Sequence, residues 1–125
     1  MHRTWQELET HYLSAIICAP NFADMHEAMA GLCEWFKSSN LASGLYAHTS
    51  HHTLFIYQVA QEYPPHHSAQ KLEVSPNFET GKIDFRLLDT PVEEKQWSRT
   101  ENPNTQALVD RIIGFTKQVG WTNGH

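Results

Sequence analysis

The sequence predicts an α+β fold: a four-stranded antiparallel sheet of two hairpins, with two N-terminal helices and a C-terminal helix packed mainly on one face. Three observations carry this expectation. Apolar residues recur at helical spacing near both ends of the chain. From residue 41 the period falls to about two. The links inside each candidate strand pair are short or turn-rich, as hairpins require.

Thr4-Trp5-Gln6-Glu7 reads as a capping box, in which the Thr hydroxyl and the Glu carboxylate each take a free backbone N–H. Trp5, Leu8, Tyr12, Ala15 and Ile16 follow at helical spacing, so a helix is expected from Trp5 to about Ile17. The rival reading is a short strand through Leu13–Cys18, where the run is apolar on both sides. Pro20 closes this element. Asn21 is the expected cap of a second helix from Phe22 to about Lys37, with Asp24 suited to the positive end of its dipole. Phe22, Met25, Met29, Leu32 and Phe36 form its apolar stripe, widened by Ala28, Cys33 and Trp35.

Leu41–His48 and His52–Val59 are the first two strand candidates, joined through Thr49-Ser50-His51. The second carries large apolar groups on both faces and is expected inside the sheet. Residues 60–69 read as a loop, stiffened by Pro64-Pro65. Gln70–Ser75 and Lys82–Leu88 form the second pair, linked by the turn-rich Pro76–Gly81. Leu72 and Val74 oppose Lys71 and Glu73; Ile83, Phe85 and Leu87 oppose Asp84 and Arg86, which predicts one wet face with cross-strand charge pairs. Thr90-Pro91-Val92-Glu93 predicts a short helix to about Trp97, followed by a polar loop, Ser98–Asn102. The last helix is expected to begin near Pro103 or Asn104 and to run through Leu108, Ile112, Phe115 and Val119. Gly120 would terminate it and Trp121 fold back on its end.

With 125 residues and no internal repeat or long linker, the chain reads as a single domain over residues 1–125. Its 40% apolar content exceeds that of disordered segments. Fourteen acidic residues against nine basic ones set the formal charge at −5, which argues against nucleic acid or an anionic membrane as the main partner. No apolar run approaches the ~18 residues of a membrane span. Glu7, Glu9 and His11 precede the apolar stretch near the N-terminus, where a secretory signal needs basic charge. The chain is therefore expected to be cytoplasmic and complete from Met1. Cys18 and Cys33 lie on apolar stretches and are expected to be buried thiols. A redox or nucleophilic pair, with His11 or His26 as base, is the other reading.

Nine residues are histidine, and five of them fall between positions 48 and 67. His48, His51 and His52, with His66 and His67, raise a metal-site alternative, with zinc as the cofactor. No His-Glu-x-x-His or Cys-x-x-Cys motif accompanies them, and the ordinary reading is exposed turn and loop histidines. Protonating all nine would carry the formal charge from −5 to +4.

The function expected from these features is that of a small acidic cytoplasmic protein acting by binding another protein, in an inhibitor, immunity or chaperone-like role without catalysis. Tyr63, Trp97 and Trp121 are the candidate aromatic contacts, because such rings favour interfaces. Asp24, Glu27 and Glu34 share one helix face and are the candidate charged contacts. The alternative is a metal-binding module or metal-dependent hydrolase, with His48, His51 and His52 as first ligands to a water-activating ion. A homodimer that buries a sheet edge or face is compatible with either.

Overall fold

The computed structural model describes residues 4–18, 20–39, 45–57, 71–88 and 97–119. Helix α1 spans Trp5–Cys18 and, after a single 3-10 turn at Pro20–Phe22, helix α2 spans Ala23–Lys37. Five strands follow: β1 Tyr46–Ser50, β2 Thr53–Tyr57, β3 Lys71–Asn77, β4 Lys82–Leu88 and β5 Trp97–Glu101. Helix α3, Thr105–Val119, ends the described chain. The architecture is α+β with an antiparallel sheet. The sheet is a meander in which each strand pairs with the next, in the order β1-β2-β3-β4-β5.

Local chemistry explains most boundaries. The Thr4 N–H reaches the Glu7 carboxylate at 2.9 Å and the Glu7 N–H reaches the Thr4 hydroxyl at 3.1 Å, so the capping box is closed in both directions. The run from Leu13 to Cys18 is helical, and the strand alternative is excluded. Helix α2 is capped by Phe22 rather than Asn21, with no side-chain hydrogen bond. Phe22 instead packs edge-on against Phe78, with ring centroids 4.7 Å apart, so an apolar contact fixes where this helix begins. Asn104 caps α3 through its side chain, which accepts the Ala107 N–H at 3.0 Å.

The hairpins differ in detail from the sequence expectation. Ser50 pairs with Thr53, so the first turn is His51-His52 alone. His51 takes the left-handed backbone that a two-residue hairpin demands, with φ at 55°. Strand β3 runs through Pro76 to Asn77, instead of stopping at Ser75. Pro76 lies beyond the last residue that pairs with β2, where a missing N–H breaks no ladder on that side. The second turn is built by Asn77, whose side chain accepts the N–H groups of Glu79 (3.0 Å) and Thr80 (3.2 Å), while Gly81 at φ 74° closes it.

The fifth strand is the main correction. Ser98–Asn102 was expected as loop and Trp97 as the end of a short helix, yet Trp97–Glu101 is a strand paired with β4. The rest of that expected helix lies outside the described residues, as does the 60–69 loop. The segment is polar because its ladder bonds, not its side chains, place it in the sheet. Glu101 also holds Arg111 of α3, whose Nε lies 3.0 Å from the carboxylate.

One contiguous core joins helices to sheet. Leu8 and Tyr12 of α1, Met25, Met29, Leu32 and Phe36 of α2, and Leu108, Ile112 and Phe115 of α3 belong to the same buried cluster as residues from one face of the sheet. That face presents Ala47, Leu54, Ile56, Leu72, Val74, Ile83, Phe85 and Leu87, and neighbouring strands register these residues side by side. The other face carries Glu73 near Arg86 (4.0 Å), Asp84 bonded to Asn77 and Thr100, and Lys71 over the Phe55 ring. No helix among the described residues is long and apolar enough to cross a membrane.

Candidate functional site

Of the expected metal ligands, the three among the described residues, His48, His51 and His52, do not converge. His48 stands on the outer sheet face and stacks on Phe55 and Tyr57, with centroids 5.1 and 5.5 Å away. His51 is exposed at the turn. His52 turns the other way, towards the helices, and its ring lies 4.9 Å from that of His26. His66 and His67 lie outside the described residues. Among the described residues, no group of three or more His, Cys, Asp or Glu is arranged to hold a metal ion.

The structure instead assembles a histidine group that the sequence did not suggest. His26 of α2 faces His52 of the β1–β2 turn, and His52 lies 5.4 Å from His11 of α1. Tyr12 flanks His26 at 6.3 Å and Phe78 of the β3–β4 turn lies 5.8 Å away on another side. The Tyr12 hydroxyl donates to the His52 carbonyl at 2.8 Å and so ties α1 to the first turn. His26 is fully buried, and neither of its ring nitrogens has a hydrogen-bond partner among the described residues. The Nδ1 atom of His52 is likewise buried without one. Burial holds the His26 pKa below the ordinary imidazole value, and the neighbouring His52 and His11 push it the same way. The available sequence signal was phase: His26 falls four residues after Phe22 and one after Met25, at the margin of the α2 stripe.

The two thiols sit in different environments. Cys33 is buried, and its pKa is pushed up to about 12 by desolvation and by Glu9. Cys18 is exposed, against the expectation of burial. At 100° per residue it sits about 80° off the Leu8–Tyr12–Ala15 stripe, at the last position of α1. Leu13 and Ile17 fall on the opposite side of that helix, and Ile17 is 83% exposed.

The acidic residues form a second feature. Asp24, Glu27 and Glu34 are all exposed along α2. Gly31 completes this side of the helix and admits α3. A Cβ there would lie 2.9 Å from Cγ2 and 3.1 Å from Cβ of Thr105, so only glycine allows this approach. The close crossing leaves an open depression of about 330 Å³ between α2 and the start of α3. Asp24, Glu27 and Ala28 line one side, and Pro103, Asn104, Thr105 and Gln106 the other. Asp24, Glu27 and Glu34 make no ion pair or hydrogen bond among the described residues. Trp97 contributes backbone to β5, and Tyr63 and Trp121 lie outside the described residues.

No protein-family model, no characterised protein and no solved structure matches this chain.

Proposed function

We propose that the protein acts in the cytoplasm by binding another protein, and that the α2–α3 depression receives a basic side chain of that partner. The observation that carries this reading is a set of carboxylates, Asp24, Glu27 and Glu34, with no partner among the described residues, along one exposed helix face beside a recess. Charges used for internal stability are normally matched within the fold, as Glu101 is by Arg111 and Glu9 by Lys37. Unmatched carboxylates in a recess attract Lys or Arg, steer its approach and fix its register. Two free thiols agree with a reducing compartment. An inhibitor, immunity or chaperone-like role follows, since each works by covering a partner's surface and needs no reactive group.

The test compares capture from the protein's own cell lysate by wild type and by the triple variant Asp24→Asn, Glu27→Gln, Glu34→Gln. The expected result is one basic partner, retained by wild type at low salt. Affinity should fall at least about tenfold in the triple variant, whose circular dichroism stays native. Equal capture by both chains, or partners retained equally well in high salt, would count against the reading.

A further inference from the structure

The histidine group at the junction of α1, α2 and the two turns is unused by the proposed binding surface and stands independently of it. Three elements meet there through imidazoles: His11 from α1, His26 from α2 and His52 from the β1–β2 turn. Phe78 brings in the β3–β4 turn, 6.0 Å from His52 and 5.8 Å from His26. His26 lies between the buried Met25 and Met29 and is itself sealed from water. Neutral imidazoles can stack on aromatic rings at these distances, at the cost of leaving buried ring nitrogens without partners among the described residues. A charged His26 lacks both water and a counter-charge among the described residues, and neighbouring charged imidazoles would repel it.

The groups facing the cluster can be named element by element. From α1 come His11 and Tyr12, with Glu7 beside His11 in an open depression of about 540 Å³ that also involves Gln6, Thr10 and Ser14. The Glu7 carboxylate also accepts the Thr4 N–H. From α2 comes Cys33, which senses Tyr12 and Glu9 and stays a neutral thiol. The first turn supplies His52. The second turn supplies Phe78, and the 3-10 turn Phe22; neither carries charge. The charges that reach His26 are therefore those of two other bases.

We propose that His26, His52 and His11 form an acid-sensitive latch, which clamps the helix pair onto the β1–β2 and β3–β4 turns when neutral and releases the turns when protonated. The group meets solvent at His11, which lines the open depression. Like charges placed in this group would repel across ring contacts of 4.9 and 5.4 Å. Relief comes by swinging the first turn away from α1, which breaks the Tyr12 bond to the His52 carbonyl. Water then reaches His26, which charges in turn. The surface uncovered includes the buried ring of Tyr12 and more of half-buried Phe22, which join the already exposed Phe78 in one larger apolar patch.

The sign follows from linkage. An imidazole held neutral in the fold binds a proton more readily once released, so the closed form loses stability as pH falls below about 6.5. The experiment is the thermal midpoint of the full chain between pH 8 and pH 5, for wild type, His26→Leu and His51→Gln. Wild type should be level above about pH 7 and fall by roughly 5 °C per pH unit below about 6.5. His26→Leu should flatten that fall by at least half, and His51→Gln, which removes an exposed histidine at the same turn, should leave it unchanged. A His51→Gln effect as large as that of His26→Leu would mean that net charge is responsible and would overturn the latch. So would an unaltered slope in His26→Leu. If His26→Leu does not fold, the wild-type imidazole resonances decide. The latch requires His26 to protonate only together with loss of the Tyr12–Phe78 environment. Titration of His26 near pH 6.5 with that environment intact overturns it.

Discussion

Tyr12 shows how one side chain joins two roles. Its ring is buried against the core and against His26, while its hydroxyl, 2.8 Å from the His52 carbonyl, is the polar tie from α1 to the first turn. A buried phenol needs such a partner, and the partner carbonyl needs the phenol. Burial, helped by Cys33, lifts the Tyr12 pKa well above its usual value, so the hydroxyl remains a donor throughout the physiological range. Tyr12→Phe keeps the ring and removes only this bond. It is expected to cost about 1 kcal/mol at pH 7.5, read as a lower urea midpoint with an unchanged slope. His26 is the opposite case, a polar ring whose nitrogens gain nothing from the described residues around it. It is also the residue whose phase was visible in the sequence and whose meaning was not. A histidine at the edge of an apolar stripe reads as half-wet until the neighbours that seal it are known.

Elements obey the same distinction. The closed capping box of α1, the Asn104 cap of α3 and the Asn77 turn all depend on residues within four positions of one another, and local spacing reveals them. Strand β5 depends on β4, and its five residues show no apolar alternation that would announce it. Likewise Phe22 displaces Asn21 as the α2 cap because Phe78, remote in sequence, meets its ring. The α2–α3 crossing rests on Gly31 and Thr105 in the same way. Gly31→Ala would raise intrinsic helix propensity by up to about 1 kcal/mol, but the new methyl must displace a β-branched side chain. A net loss of roughly 1–2 kcal/mol is expected in denaturant unfolding, and Thr105→Ala in the same chain should recover most of it. Stabilisation by Gly31→Ala alone would show that the two helices part easily.

At the scale of the molecule, charge and histidine content act together. Protonation of all nine histidines takes the formal charge from −5 to +4. With His26 alone left neutral, the other eight carry the total from −5 to +3, so the sign still inverts. Electrophoretic mobility is expected to reverse between pH 7.5 and pH 5, and mobility of one sign throughout would refute this. The same acidification that opens the latch would thus weaken the attraction of the α2 face for a basic partner.

Helix positions, the α+β class and the alternation of β3 and β4 could be read directly from the order of residues, because backbone hydrogen bonding in helices and tight turns is local and apolar period reports which side of an element is dry. The acidic face of α2 was equally legible, since three residues on one helix share a side regardless of what surrounds them. The recess beside it was not, because it exists only where Thr105 packs on Gly31. Nor was the fifth strand, or the meeting of His11, His26 and His52 across forty positions of chain. Those features arise from contacts between distant segments, whose side chains acquire burial, partners and shifted proton affinity only when the core closes around them.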